Sequence, residues 1–191
     1  MSLPHALLTS LLEQPCSGLE LARRFDRSIG FFWHATHQQI YRELGRLESA
    51  AWVESLPPET GRGRKKVYRV LPAGRKELKR WTAEPQDPKP LREELMLKLR
   101  AEAVVGPTAL KQDIERRLTL HRQKLSLYRE LEAHDFPPPI ESREAQLQHL
   151  VLMAGIMFES SWIEWSEMAL QVLAQPRQIK KSHESSGAGC S

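Results

Sequence analysis

The stretch "HATHQQIYRELGRLESAAWVE" (residues 34–54) has the apolar spacing of a helix and an unusual polar side. With Ile40 at the centre of an inward face, steps of about 100° per residue bring Leu44, Leu47 and Ala51 beside it. The opposite row is Gln38, Arg42, Gly45 and Ser49. His34 and Tyr41 flank that row on one edge, and Ala35, Gln39 and Arg46 on the other. Glu43 and Glu48 fall away from it, so the outermost row is free of acids. These residue types suit a DNA major groove. Gln bonds an adenine edge through two hydrogen bonds, Arg does the same for guanine, and Ala35 or the Thr36 methyl suits a thymine methyl. Tyr41 and Arg46 are placed for phosphates on either side, and Gly45 lets the helix approach the sugar-phosphate wall. The candidate contacts from this helix are His34, Thr36, His37, Gln38, Gln39, Tyr41, Arg42 and Arg46. Gln and Arg are also good helix formers on inert surfaces, so the helix alone leaves the question open.

The flanking elements narrow it. Residues 4–13 predict a first helix with Leu7, Leu8, Leu11 and Leu12 on one face. A second helix starts at Ser17 as N-cap, with Glu20 at the capping-box position and Arg23, Arg24 and Arg27 mostly outward. After the third helix, "WVESL" and "KKVYRVL" are β-prone runs joined by "PPETGRGR", which predicts a hairpin with a mobile tip. Arg62, Arg64, Lys65 and Lys66 crowd that tip, and clustered cations of this kind suit a minor groove or a line of phosphates. Pro72 fits the first position of a further helix, "PAGRKELKRW". Three helices followed by a two-stranded basic wing make a winged helix-turn-helix, in which the second helix of the motif reads bases while the wing and the arginines of the preceding helix hold backbone.

"EPQDPKP" (residues 84–90) carries three prolines in seven positions and predicts a linker. Beyond it the pattern is helical, with a proline-rich turn at residues 135–142. One long helix shows Leu110, Ile114, Leu118, His121, Leu125 and Tyr128 as its stripe. The last shows Leu147, Val151, Ala154, Phe158, Trp162, Trp165, Ala169 and Val172. Around "LVLMAGIMF" (residues 150–158) the last helix is apolar on every side, which requires burial on more than one face. A second copy of the chain supplies the missing cover, so a homodimer is expected, with a compact bundle within one chain as the other possibility. The expected organisation is a winged-helix DNA-binding domain at 1–83, a linker at 84–90, a helical dimerisation domain at 91–175 and a disordered tail at 176–191. The fold class is mainly α.

Charge agrees with a polyanion partner for the first part alone. Net charge is +4 over 191 residues, but residues 1–81 hold 14 Lys and Arg against 8 Asp and Glu, while the rest holds 14 against 16. Two cysteines make no disulfide framework. No apolar run is long enough for a membrane span and no secretory leader is visible, so a cytoplasmic setting without membrane attachment is expected.

"HALLTSLLEQPCSGLELARRF", "IYRELGRLESAAWVE" and "GRKKVYRVLPAGRKEL" together resemble the PadR family of bacterial transcriptional regulators. The motif positions are Pro15 and Gly18 in the turn, then Ile40, Tyr41, Leu44 and Leu47, then Lys66, Tyr68, Val70 and Gly74. The long C-terminal helices with "WIEW" are similar to the AphA-like, virulence-activator type of tail, so the resemblance covers about residues 3–174. Leu71 stands where many members have Thr, and Ala51 where many have Gly. The resemblance implies a dimeric repressor, released from operator DNA by a small, frequently aromatic, effector.

Other chemistry lacks its parts. His34 and His37 point to different sides of the helix and no acid or thiol completes a metal set, so neither metal nor cofactor is expected. "GRGR" has no following Lys-Ser or Lys-Thr at a helix start, and Ser17 and Cys16 have no basic partner, so no enzyme is expected. A cavity where the two domains meet is the expected place for a flat aromatic effector, with Trp162, Trp165 and Met157 as candidate lining, although a Trp and Met stripe also serves plain packing. The rival to a DNA-binding regulator is a winged-helix protein–protein interaction module without DNA binding.

Overall fold

The computed structural model describes residues 3–27, 35–56, 66–88 and 90–175. The chain divides between Pro90 and Leu91 into two compact units.

In the first unit α1 (Leu3–Glu13) is followed by a two-residue strand β1 (Cys16–Ser17) and α2 (Gly18–Arg27). Then come α3 (His37–Ser49), β2 (Val53–Leu56), β3 (Val67–Val70) and α4 (Pro72–Thr82). Leu7, Leu8 and Leu11 of α1, Leu21 and Phe25 of α2, and Ile40, Leu44 and Leu47 of α3 form one core with Val53. Leu12, expected on the same face, is only half-buried. Ser17 caps α2 as expected, its hydroxyl accepting from the Glu20 amide at 3.3 Å. The wing pairs Val53 with Val70 and Leu56 with Val67, antiparallel. The expected two strands are joined by a third, since β1 pairs with the other edge of β3, Cys16 opposite Tyr68. Two residues are too few to show a period, which is why sequence alone does not display β1.

α3 is shorter than the stretch that predicted it. Thr36 is its N-cap: its side chain accepts from the Gln39 amide, and the Gln39 side chain accepts from the Thr36 amide at 2.8 Å. The helix ends at Ser49, and Ala51 takes a left-handed φ of 54°. Ala51 is therefore exposed rather than beside Ile40, and the chain turns directly into β2. Glycine is the residue that adopts this conformation without a steric penalty. At α4, Leu71 is an N-cap with no side-chain bond, and Pro72 occupies the first turn in its place.

The second unit holds α5 (Glu94–Val105), α6 (Leu110–Asp135) and α7 (Arg143–Leu173). α7 has 31 residues, about 46 Å at the usual rise, and packs along α6. α6 buries Leu110, Ile114, Leu118 and Tyr128, with His121 and Leu125 half-covered, as its stripe predicts. α7 departs from expectation. Its buried residues are Ile156, Glu159, Ser166 and Ala169. Of the predicted stripe only Ala169 is buried and Trp162 and Trp165 are half-buried; Leu147, Val151, Ala154, Phe158 and Val172 face outward. The reason is polar. Glu159, 1% exposed, sits between His121 Nδ1 at 2.5 Å and Lys124 Nζ at 3.0 Å, so α6 receives the face of α7 that completes this cluster.

Candidate nucleic-acid interface

α3 is held on its inner side by Ile40, Leu44 and Leu47, so its opposite row is fixed in orientation. Gln38, Arg42, Gly45 and Ser49 are all exposed. The acids nearest that row are engaged elsewhere. Glu43, mostly covered, pairs with Arg46 at 3.3 Å, and Glu48 accepts from the Ser55 hydroxyl at 2.5 Å. A Cβ added at Gly45 would meet nothing within 4 Å, which leaves the middle of the row open to a close-lying surface. The Ser49 hydroxyl donates to the Gly45 carbonyl at 2.9 Å and is turned back along the helix.

The remaining candidates divide by what they touch. Thr36, His37 and Gln39 stand exposed at the start of α3, but Gln39 is engaged in the capping box. Ala35, expected beside the row, is buried at 6% exposure because it precedes the helix and joins the core. Tyr41 is 46% exposed at the edge of the row, its ring lying against Gly18 at the start of α2. Tyr68 on β3 has its phenol pushed up by burial, then by the nearby Glu48 and Tyr41. Arg23 is exposed on α2. Arg24 is used within the unit: it donates to the Gln14 carbonyl at 2.9 Å, beyond the end of α1, and lies 3.7 Å from Glu13. Cys16, beside Arg24, has its thiol pushed up by burial, which outweighs the arginine. Lys66 is exposed just before β3. His34, Arg62, Arg64 and Lys65, and the side chain of Arg27, lie outside the described residues, as does the tail expected beyond residue 175.

Sequence reading missed two supports of this surface. One is the capping box, visible as Thr-x-x-Gln at Thr36 and Gln39. The other is a clamp between α1 and α4: the His5 ring stacks on Trp81 at 4.5 Å, and its Nε2 meets Glu77 at 3.1 Å. Glu77 also pairs with Arg80 at 2.6 Å, and its carboxyl is lowered to about 2 by Arg80 first and then His5. Histidine and glutamate 72 residues apart carry no sequence signal of pairing.

In the second unit Trp162 and Trp165 meet edge to face at 5.4 Å, and Trp162 stacks on His121 at 5.5 Å. Both tryptophans pack on Leu95, Leu110, Ile114 and Ala169, whereas Met157 is 65% exposed. A cavity of about 510 Å³ opens at the α5–α6 junction, lined by Lys98, Glu102, Val105, Thr108, Leu110 and Asp113 among others, and none of the three candidate effector residues lines it. Among the described residues no group of His, Cys, Asp or Glu is disposed to hold a metal ion, and no helix is long and apolar enough to cross a membrane.

A helix-turn-helix whose second helix exposes an acid-free row, followed by a β-wing, defines the winged-helix regulators of transcription. Residues 7–80 match the transcriptional regulator PadR-like family, and residues 91–174 match the virulence activator alpha C-terminal domain. A probable transcriptional regulator of Mycobacterium tuberculosis is 42% identical over 189 residues, 93% of this chain and 100% of its own length. The virulence activator AphA of Vibrio cholerae has a similar structure, with a TM-score of 0.78 and 29% identity over 90% of this chain and 98% of that one. The negative transcriptional regulator PadR of Bacillus subtilis is 27% identical over 177 residues, 90% of this chain and 97% of its own length. Its structure in complex with operator DNA gives a TM-score of 0.77 at 26% identity, over 91% of this chain and 99% of that one, and it has also been solved with p-coumaric acid. The chain belongs to the PadR-like family of transcriptional regulators, which are not enzymes.

Proposed function

We propose that the chain is a homodimeric repressor that grips operator DNA with α3 and the wing and releases it when a small aromatic effector binds. The observation that carries the reading is the exposed, acid-free row of Gln38, Arg42 and Gly45 on a helix anchored by its opposite side. Gln38 and Arg42 read base edges; Thr36, His37 and Gln39 stand at the groove entrance, with His34 just ahead of them. Tyr41, Arg46, Arg23 and Arg27 hold phosphates, and Arg62, Arg64, Lys65 and Lys66 bring the wing onto the backbone. Arg24 must leave the end of α1 before it can join them. The B. subtilis relative bound to operator DNA and to p-coumaric acid supports both halves of the proposal.

The second copy is supported by α7. Leu147, Leu150, Val151, Met157, Phe158 and Met168 are each half or more exposed, or nearly so, within 22 residues of one helix. A contiguous apolar face of that extent marks an association surface. In the dimer two α3 helices face successive major grooves about 34–36 Å apart or a multiple of it. Met157 belongs to this face, and Trp162 with Trp165 forms the aromatic floor proposed for the effector.

The test is a gel shift of purified protein with DNA from upstream of its own gene, titrated with salt and competitor. Arg42→Ala is expected to cost roughly 1–3 kcal/mol and relax base preference at one position. Neutralising Arg64 and Lys65 is expected to weaken all DNA alike and flatten the salt dependence by about two phosphate contacts. A parent protein that ignores DNA but holds a protein partner irrespective of salt would support the interaction module instead.

A further inference from the structure

Gly18 is the first residue of α2, and nothing in its backbone requires glycine, since its φ is not left-handed. Its neighbour supplies the reason. A Cβ at this position would stand 2.6 Å from Tyr41 Cε1 and 3.4 Å from Cδ1 and Cζ. The edge of the Tyr41 ring thus occupies the space where every other residue carries its side chain. Gly45, on the same helix as Tyr41, has open space at the corresponding point, so of the two glycines beside the α3 surface only Gly18 is closely approached.

Tyr41 is pinned at the ring yet 46% exposed. Its hydroxyl has no hydrogen-bond partner among the described residues, and it sits beside Arg42 at the edge of the outer row of α3. A ring seated against Gly18 at the start of α2, with a free polar tip, is held on that side before any partner arrives. Ordering a side chain on binding lowers affinity, and a group ordered in advance escapes that loss.

We propose that Gly18 is a positioning residue for DNA binding: by lacking a Cβ it holds the Tyr41 ring in place so that the hydroxyl donates to one backbone phosphate beside α3. This rests on the DNA-binding reading above. Gly18 touches no DNA itself. An alanine there pushes the ring away and costs the phosphate bond, while the fold is retained because the obstructing atom is near the end of a side chain that can turn.

The test is a double-mutant cycle on the full chain, comparing the parent, Gly18→Ala, Tyr41→Phe and the double variant. Affinities for the operator and for a random duplex of equal length are measured by fluorescence anisotropy at one salt concentration, with thermal unfolding recorded for each protein. Tyr41→Phe is expected to weaken both duplexes about tenfold, the scale of a hydrogen bond to a charged acceptor. Gly18→Ala is expected to cost about three- to tenfold alone and less than about twofold in the Tyr41→Phe background. Duplexes carrying single methylphosphonates supply a readout that a purely structural role would not move. One substitution is expected to weaken the parent and to leave Gly18→Ala and Tyr41→Phe unaffected. If Gly18→Ala alone unfolds, Tyr41→Ala added to it is expected to restore folding with the affinity of Tyr41→Ala alone; failure to restore it counts against the proposal. Equal losses from Gly18→Ala in both backgrounds, or parent-like binding by Gly18→Ala, would overturn the positioning role while leaving the DNA-binding reading intact. A parent that binds no DNA would remove both.

Discussion

Gly74→Ala sets two physical effects against each other, and their sizes decide the sign. Gly74 lies in the first turn of α4, where Ala should be the better helix former by at most about 1 kcal/mol. Much of that preference is the restriction of the unfolded chain, worth about 0.4–1 kcal/mol where the backbone permits it, so the two are one gain of at most about 1 kcal/mol. The space argues the other way. A Cβ here would stand 2.3 Å from the Trp52 carbonyl oxygen and 3.0 Å from both Trp52 C and Val70 Cγ1. That is about 1 Å short of an ordinary contact, and the obstructing atom is backbone. The same carbonyl accepts from the Leu71 amide at 2.8 Å, and Trp52 is tied back to Leu47 by its own amide at 2.9 Å. Relief therefore requires α4 to lift from the base of the wing, with loss of a hydrogen bond of about 1 kcal/mol and overpacking strain of about 1–3 kcal/mol. After that gain is subtracted, a net destabilisation of roughly 1–3 kcal/mol remains. Urea unfolding followed by tryptophan fluorescence and far-ultraviolet circular dichroism measures it, and the midpoint should fall at unchanged slope. A variant as stable as the parent, or more so, would refute the close approach of α4 to the Trp52 carbonyl.

The reverse exchange at the end of α3 should have the reverse effect: Ala51→Gly relieves a left-handed alanine at φ 54° and is expected to raise stability by about 1 kcal/mol in the same urea assay. Glu159→Gln removes the carboxylate shared by His121 and Lys124. It should cost about 2–3 kcal/mol, below the usual range for breaking a buried pair because Lys124 is 42% exposed and can hydrate; a change within 0.5 kcal/mol, about the scatter of surface substitutions, would show that the cluster contributes little. Glu77 is depressed to about 2 in the folded chain, so its contribution is complete above its ordinary value of 4.5 and disappears as pH falls from there through about 2. The stability difference between the parent and Glu77→Gln should therefore shrink across that window; a difference independent of pH would remove the His5–Glu77–Arg80 clamp as its cause.

What the sequence displayed and what it hid follow from the range of each interaction. The recognition row was legible because helical period is local: Ile40, Leu44 and Leu47 turn inward and thereby fix Gln38, Arg42 and Gly45 outward. The two main strands of the wing were legible from β-prone runs on either side of a Pro and Gly tip. The limits of α3 were less so: Ala51 continues the apolar pattern past the left-handed turn, and Ala35, outward by helical phase, turns inward only because it precedes the cap. Its place on α2 makes Arg24 a surface cation in the sequence, but the carbonyl left free after α1 captures it, and such partners are set by the packing of two helices. The roles of Gly18 and Gly74 were invisible for the same reason, since an absent Cβ acquires meaning only from the atom that fills its place.

α7 shows why the most apolar stripe need not be the one packed within the chain. α6 turns His121 and Lys124 toward α7, and an apolar partner there would strand both groups partly buried. Lys124 is pulled down by burial but raised on balance by its bonds to Glu159 and Tyr128, the direction of a cation held in a favourable partnership. The face of α7 that carries Glu159 meets that demand, and Gly155 on the same side admits the Tyr128 ring, against which a Cβ would stand at 2.9 Å. The Leu147, Val151 and Phe158 face is thereby turned outward, and its exposure follows from satisfying the polar groups first. Covering it is then left to another molecule. In the proposed dimer, folding of the C-terminal unit and association become linked, and its unfolding midpoint should rise with protein concentration. A C-terminal unit whose midpoint is independent of concentration, in a protein that sediments as a monomer, would mean that the outward face is tolerated rather than used.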